Sequence, residues 1–524
     1  MRTLATTTIA LLAAAGAGAV AAEARSHAPV IDIIAYNDVY EMQPDEIAGL
    51  KMGGPSRVIP VVQDMRRRNP DHSLVLFAGD TMSPSLWSFQ FKGMQMVEAH
   101  NALGVDFACL GNHEFDFDLE TFENVSVASN FPWLNANCFE TDTGALLRGT
   151  VPRAVKQLGD VKVGLFGVMY DMKAPGKGVY WTDPLEAAKE QVKILREQEK
   201  VDLVIALTHQ ELTDDNRLSK DVKGIDIIYG GHEHSAMMQT NFGTPYLKAD
   251  LNFRTIWSSK IEYFPPVTAK KQPAVVRAKH ELIPVTEDMP TDPTFEAIIA
   301  SYASKIKDLQ SRAVGAICKP LNLKGESVQT MDMPIGNIFA DAAMELYDNI
   351  VPDACLINAG LIRTDKVWPA GSLTLGELIS WSPFGNTMVI FDTDGASLKK
   401  FITTQMVASC GAGFINRNGF YVHPAGIKYT FQCTGVGAGT ISSIEWFKHA
   451  KRTGAVGDDE AVRLMMTNYV YFNNYVPVSG LKMVKMVVSD AEAGRIDSAL
   501  EKYFKKQPDS TLCQKADGRS AISQ

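Results

Sequence analysis

Between Val30 and Ile283 the chain repeats one pattern: a short apolar run, then polar or glycine residues, then a stretch with helical spacing. The runs are V-I-D-I-I-A-Y from Val30, S-L-V-L-F-A-G from Ser73, D-F-A-C-L-G from Asp106, V-G-L-F-G-V-M from Val163, V-D-L-V-I-A-L-T from Val201 and I-D-I-I-Y-G-G from Ile225. Continuous apolar runs separated by helices predict strands buried on both faces, so the first half of the chain is expected to be an α/β domain. From Ile256 to Thr291 the rhythm breaks among prolines at 265, 266, 273, 284 and 290, and T-F-E-A-I-I-A-S-Y-A-S-K-I-K-D-L from Thr294 then predicts a connecting helix. The remainder mixes helix-like I-G-N-I-F-A-D-A-A-M-E-L-Y with β-rich N-T-M-V-I-F-D-T-D and V-R-L-M-M-T-N-Y-V-Y-F, which predicts a second, α+β domain. A length of 524 residues is ample for two hydrophobic cores.

In open α/β sheets, ligands gather beyond the carboxyl ends of the strands, so the residues that close each apolar run carry the most information. Asp38 follows the first run, Gly79-Asp80 the second and Gly111-Asn112-His113-Glu114 the third; His209 and then Gly230-Gly231-His232-Glu233-His234 close the last two. Taken singly, each has an ordinary role, because an Asp can cap a helix and an Asn can hold a turn. Taken together, carboxylates, an amide oxygen and imidazoles at the ends of neighbouring strands are donors suited to zinc, manganese, iron or cobalt. The pattern predicts a metal centre.

These residues resemble those of the calcineurin-like metallophosphoesterases, and I-N-A-G-L-I-R-T-D with W-S-P-F-G-N-T in the second half make the whole chain resemble the 5'-nucleotidase family within that group. The resemblance implies a four-layer α/β/β/α metallophosphoesterase domain over 28–285 and a connecting helix over 286–313. It also implies an α+β substrate-binding domain of the 5'-nucleotidase C-terminal type over 314–510, and a tail over 511–524. It further implies two divalent metal ions, one held by Asp38, Asp80 and His234 and the other by Asp80, Asn112, His209 and His232, with Asp80 bridging. His113 is then expected to face the leaving group, oriented by Asp116 or, alternatively, by Asp118. Asn358 and Arg363 match the motif N-x-G-x-x-R, and Phe384 and Tyr469 are the expected aromatic pair, so these four are expected to bind substrate.

The chain departs from the family pattern at defined places. Where the family usually has a metal-ligand His, this chain has Tyr40, in N-D-V-Y-E, which with G-D-T-M-S-P-S-L looks like a distinct branch. The first metal site is therefore expected to keep three protein groups plus water, to bind its ion more weakly, or to use Tyr40 as a phenolate induced by the metal. Gln329 and Asp332 lie near the place where the family offers an arginine, and glutamine cannot imitate a bidentate phosphate clamp. Phe472-Asn473-Asn474-Tyr475 replaces a loop that contributes a ribose-contacting Asp.

Composition excludes some classes of function. The net charge is -9 and the basic residues are dispersed, apart from runs such as Arg66-Arg67-Arg68, which is expected to be a solvated helix face, so no nucleic-acid partner is expected. A basic start, an uncharged stretch to Ala22 and small residues at Ala19 and Ala21 predict a signal peptide over 1–22, hence export to a periplasm or the extracellular space. No later segment approaches the roughly 18 apolar residues of a membrane span. The seven cysteines never form C-x-x-C, and Cys410 with Cys433 is a candidate pair. The expected function is that of an exported dinuclear-metal phosphomonoesterase acting on nucleoside monophosphates or similar small organic phosphates. Two alternatives stand beside it. One is hydrolysis of a sugar phosphate, a phosphoglycerate-type ester or a 2',3'-cyclic nucleotide; the other is an exported binding protein on the same scaffold, weakened in catalysis by Tyr40.

Overall fold

The computed structural model describes residues 29–47, 49–172, 178–240, 243–267, 272–472, 482–489 and 493–523. The segment expected to be a signal peptide and residues 473–475 lie outside the described residues. The chain divides into two units between Ser304 and Lys305, inside the helix Pro293–Ser311, and the short segment Pro84–Phe89 groups with the second unit.

The described residues of the first unit form two large sheets and two 2-stranded ones. In the 7-stranded sheet, Val30–Tyr36, Ser73–Phe77, Phe107–Cys109, Trp133–Leu134 and Thr150–Val151 run parallel in that order. The 6-stranded sheet has a parallel centre of Val161–Met169, Leu203–His209 and Ile227–Gly231. Ser73–Phe77 and Leu203–His209 are buried at every residue, as expected for strands covered on both faces. Ile31, Ile33, Leu74 and Leu76 of one sheet share a core with Val163, Leu165, Ile205 and Leu207 of the other, so the sheets pack face to face. Outside them, helix Pro55–Arg68 lies on the first sheet, and helices Pro184–Lys193 and Leu212–Asp221 cover the second through Ala188, Val192 and Leu218. The layers are therefore α/β/β/α. The basic run ends helix Pro55–Arg68, where Arg67 and Arg68 pair with Asp64 and Arg66 with Asp106.

The stretch where the sequence rhythm breaks is itself regular structure. Thr255–Phe264 pairs antiparallel with Val30–Tyr36, and Val275–Pro284 pairs antiparallel with Thr255–Phe264, extending the first sheet. Val275–Pro284 is largely exposed, so it carries no apolar run, and Pro284 closes it.

The second unit is α+β. Its 5-stranded sheet has the order Val422–Ala425, Ala354–Asn358, Ala461–Thr467, Met388–Asp394, Lys485–Val488, with helix Pro334–Met344 packed on the first two strands. Residues 511–523, expected as a tail, are part of this unit. Thr511–Leu512 pairs with Ala313–Ile317, and Ser520–Ser523 pairs with Ile427–Gly435. Arg519 is buried, with its guanidinium on Asp341 at 2.6 Å and Asp517 at 2.7 Å. Of the charges that suggest a tail, Arg519 is thus neutralised inside the fold, whereas Lys515 stays exposed. Cys410–Cys433 forms a disulfide as expected, and Cys318–Cys513 forms a second one that ties the last segment to the start of the unit.

Candidate metal centre

The ligand-type residues of the first unit sit at strand ends: Asp38, Asp80, Asn112, His232 and His234 come just after a strand, and His209 is the last residue of Leu203–His209. Asp38 (φ 52°), Asp80 (φ 70°), His232 (φ 93°) and His234 (φ 55°) all adopt the left-handed backbone region. Such strain in non-glycine residues persists only where surrounding contacts over-determine it. Here the contacts are visible: Asp38 N–H donates to Gly79 O at 3.0 Å, Val39 N–H to Asp80 O at 2.9 Å and His232 N–H to the Asp38 carboxylate at 2.9 Å. Glycines permit the close approach. A Cβ on Gly111 would lie 2.1 Å from Asp80 Oδ1, and one on Gly231 would lie 2.7 Å from His209 Nδ1.

The donor atoms converge. One carboxylate oxygen each from Asp38 and Asp80 and an imidazole nitrogen of His209 lie within 4.8 Å of one another, all buried. His209 Nε2 is 3.1 Å from Asp80 Oδ2, and His234 Nε2 is 3.2 Å from Asp38 Oδ1. The rings of His209 and His232 are 5.4 Å apart, and His232 Nδ1 lies 3.1 Å from Asn112 Oδ1, so these two residues continue the cluster. Tyr40 points its hydroxyl into the same group, 3.0 Å from Asp80 Oδ2.

Electrostatics favour positive charge at this point. Burial opposes ionisation of Asp38 and Asp80, yet the His234 and His209 imidazoles hold Asp38 below the usual carboxylate range, and His209 with His113 does so for Asp80. Burial likewise pushes the His209 imidazole down, but the Asp80 and Asp38 carboxylates more than reverse this and hold it above the usual histidine range. His209 Nδ1 lies 2.8 Å from Ala78 O, which fixes the ring, whereas its buried Nε2 makes no aligned hydrogen bond. A nitrogen directed at carboxylate oxygens without an aligned hydrogen bond is what a cation between them satisfies, so the residues present fit a metal ion.

The site is flanked by a histidine–carboxylate pair. His113 Nδ1 lies 2.6 Å from Asp116 Oδ2, its backbone N–H donates to Asp80 Oδ1 at 2.8 Å, and its Nε2 stands 3.9 Å from Asp80 Oδ2. Asp118, the alternative partner, instead caps helix Leu119–Ala128 by accepting from Thr121 N–H.

Comparison with known proteins places this geometry. Residues 31–236 match the family model described as calcineurin-like phosphoesterase, and residues 313–482 match that of the 5'-nucleotidase C-terminal domain. The chain belongs to the 5'-nucleotidase family of calcineurin-like metallophosphoesterases. Members of this family are metal-dependent phosphoesterases built around a dinuclear metal centre. Among relatives, the trifunctional nucleotide phosphoesterase protein YfkN of Bacillus subtilis is 26% identical over 447 residues, covering 77% of this chain and 30% of that protein. The human 5'-nucleotidase is 27% identical over 379 residues, covering 67% of this chain and 66% of that protein. The matches thus span less than two thirds of either relative. In fold, the chain is similar to a 5'-nucleotidase precursor from Thermus thermophilus, with a TM-score of 0.79 at 21% identity over 94% of this chain and 99% of that one.

Within this 5'-nucleotidase-family chain, sequence reasoning left several supporting residues without a role. Glu114 is buried and accepts backbone N–H groups from Gly111 at 2.5 Å, Thr81 at 2.8 Å and Asp80 at 3.0 Å. Asn37 braces Asp38 with a 2.6 Å hydrogen bond. Lys248 Nζ joins Asp215 at 2.6 Å, Glu233 at 2.5 Å and Gln210 O at 2.8 Å, beside the turns that carry His209, His232 and His234. The available signal was adjacency: Asn37, Gln210 and Glu233 each neighbour a ligand-type residue.

In the second unit, Arg363 stacks over Phe384 at 5.4 Å from the ring centroid. Asn358 ends the strand Ala354–Asn358 with a buried Oδ1 that makes no hydrogen bond among the described residues. Tyr469 follows Asn468, whose Oδ1 accepts from Asn386 Nδ2 at 3.0 Å, tying its segment to the loop that carries Phe384. At the departures, Gln329 Oε1 accepts from Arg417 Nε at 3.1 Å and Asp332 accepts from Gly518 N–H at 2.8 Å.

Proposed function

We propose that this chain is an exported dinuclear-metal phosphomonoesterase that releases phosphate from nucleoside 5'-monophosphates or similar small organic phosphates. The observation that carries the reading is the buried convergence of Asp38, Asp80 and His209 beside the His113–Asp116 pair. In this reading Asp38, Asp80 and His234 hold one metal ion, Asp80, Asn112, His209 and His232 the other, and Asp80 is shared. When bound, two such cations supply an activated water at neutral pH and neutralise charge on the phosphate oxygens. Zinc, manganese, iron and cobalt all suit the donor set.

The chain's own residues do the rest. Asp116 holds His113 by Nδ1, which leaves Nε2 to deliver a proton to the departing alkoxide oxygen. Arg363 offers a fixed guanidinium to an anionic group, Phe384 and Tyr469 offer faces for a planar base, and Asn358 offers a buried amide oxygen to a hydroxyl or amine. Residues 1–22 serve as the export signal.

The test is one substrate panel on the purified full chain with added manganese, zinc or cobalt: AMP, a sugar phosphate, bis(p-nitrophenyl) phosphate and 2',3'-cyclic AMP. AMP is expected to be turned over, and His113→Ala is expected to lower kcat by roughly 10²- to 10⁴-fold. Good turnover of the sugar phosphate with none of AMP would sink the nucleotidase reading. No turnover of any ester would sink the enzyme reading in favour of a binding protein.

A further inference from the structure

The position of Tyr40 is fixed before any ion is considered. Asp38 takes a left-handed backbone conformation, Tyr40 N–H donates to Asn252 Oδ1 at 3.0 Å, and the Tyr40 side chain is buried. Its hydroxyl faces Asp80 Oδ2 at 3.0 Å, His234 Nε2 at 3.2 Å and Asp38 Oδ1 at 3.3 Å. These are donor atoms of the metal centre, and both carboxylates are acceptors only. A phenol has one proton and can give it to one acceptor at a time, so the remaining contact with a carboxylate sets lone pair against lone pair. A cation shared by all four atoms removes that conflict. The spacing agrees: donors bound at about 2.0–2.2 Å and at angles of roughly 90–110° stand about 3.0–3.5 Å apart.

We propose that Tyr40 is a ligand of the first metal ion, bound as a phenolate, and that it biases that site toward a hard, highly charged cation, namely ferric iron. The inference rests on the metal-centre reading given above. On binding, the phenol O–H bond breaks, the proton leaves to solvent, and the oxygen lone pair forms the bond to the ion; no electron is transferred and the iron enters already as Fe(III). Tyr40, Asp38 and Asp80 then surround one position with three anionic oxygens and the single imidazole of His234. The other position, with His209, His232 and Asn112, keeps the more nitrogen-rich set suited to zinc or manganese.

The experiment uses the full chain, stripped with a chelator and titrated in air with ferric citrate. A ferric phenolate absorbs visible light, so a coloured band is expected to grow to one equivalent of iron, with tyrosinate ring modes in resonance Raman. Tyr40→Phe removes only the oxygen and is expected to abolish the band. It is also expected to weaken ferric binding by roughly 100-fold or more, since even residues that only orient a ligand are worth about 10- to 100-fold. Tyr40→His keeps a donor in place and is expected to retain metal without the band, which separates loss of the phenolate from loss of folding. A wild-type protein that binds two metal equivalents and hydrolyses p-nitrophenyl phosphate but shows no band overturns the proposal while leaving the phosphoesterase reading intact; so does a band undiminished in Tyr40→Phe. Failure to bind any metal overturns both.

Discussion

Glu114 shows how much of a metal centre is carried by a residue that need not touch the metal. Its carboxylate collects the N–H groups of Gly111, Thr81 and Asp80, and thereby fixes two of the ligand turns against each other. Burial and the charge of Asp80 push its pKa up to about 7, against the pull of those backbone donors. Glu114→Gln exchanges an acceptor oxygen for an NH₂ group that confronts backbone N–H groups, a buried mismatch worth about 1–3 kcal/mol. The expected outcome is a lower urea midpoint together with reduced metal content after dialysis; an unchanged midpoint would mean that Glu114 does not brace the turns. The metal-type residues were legible in the sequence because Asp, Asn and His stand out directly after apolar runs. The role of Glu114 was not legible, because its partners are backbone groups, which a sequence does not display. Tyr40 was legible only as a departure, and only the fold directs its hydroxyl at Asp80 and Asp38.

At the scale of elements, the ligand turns depend on two strand ends meeting almost without side chains between them. A Cβ at Gly111 would fall 2.1 Å from Asp80 Oδ1 and 2.8 Å from Asp80 N, so neither the carboxylate nor its backbone can stay in place. Gly111→Ala is therefore expected to abolish two-metal binding while most of the fold survives, read by metal analysis beside circular dichroism. A comparable contact in the second unit gives a pH prediction. His423, on the strand Val422–Ala425, is buried beneath helix Pro334–Met344, where a Cβ on Gly336 would lie 2.2 Å from the ring. Its Nε2–H donates to Val328 O at 2.8 Å and its Nδ1 has no hydrogen-bond partner among the described residues, so the ring is neutral. Burial lowers its pKa from 6.5 to about 4. The unfolded chain then binds the extra proton first. Stability is unaffected above pH 6.5 and falls as the pH drops toward 4, by up to about 3 kcal/mol. Denaturant midpoints measured at intervals from pH 7 to pH 4.5 check this, and a weaker slope is expected in His423→Gln. The paired strands Thr255–Phe264 and Val275–Pro284 were not legible, because the outer strand is too exposed to need an apolar run, whereas the fully buried Leu203–His209 announced itself.

At the scale of the whole molecule, the two disulfides and the last residues belong together. Cys318–Cys513 closes a separation of 195 residues and Cys410–Cys433 one of 23. Long loops lose most entropy on closure, so removing the first bond with a Cys318→Ser, Cys513→Ser double variant is expected to cost about 2–5 kcal/mol, more than the equivalent change at Cys410 and Cys433. Parallel denaturation curves of the two variants measure the difference. The pair Cys410–Cys433 was legible only as a candidate, because geometry decides a bridge. Cys318–Cys513 was not, since nothing local links residues on either side of a whole domain.

The strand Ser520–Ser523 also sets a clock. It pairs with Ile427–Gly435, and the buried Arg519 before it neutralises Asp341. During synthesis, Asp341 and the edge of Ile427–Gly435 therefore emerge long before the groups that complete them. The first unit has all of its described strands once residue 284 is out, but the second must wait, open, until residue 523 has left the ribosome. Between those two points the nascent chain carries a first unit with its described strands in place and a second unit still lacking its last one.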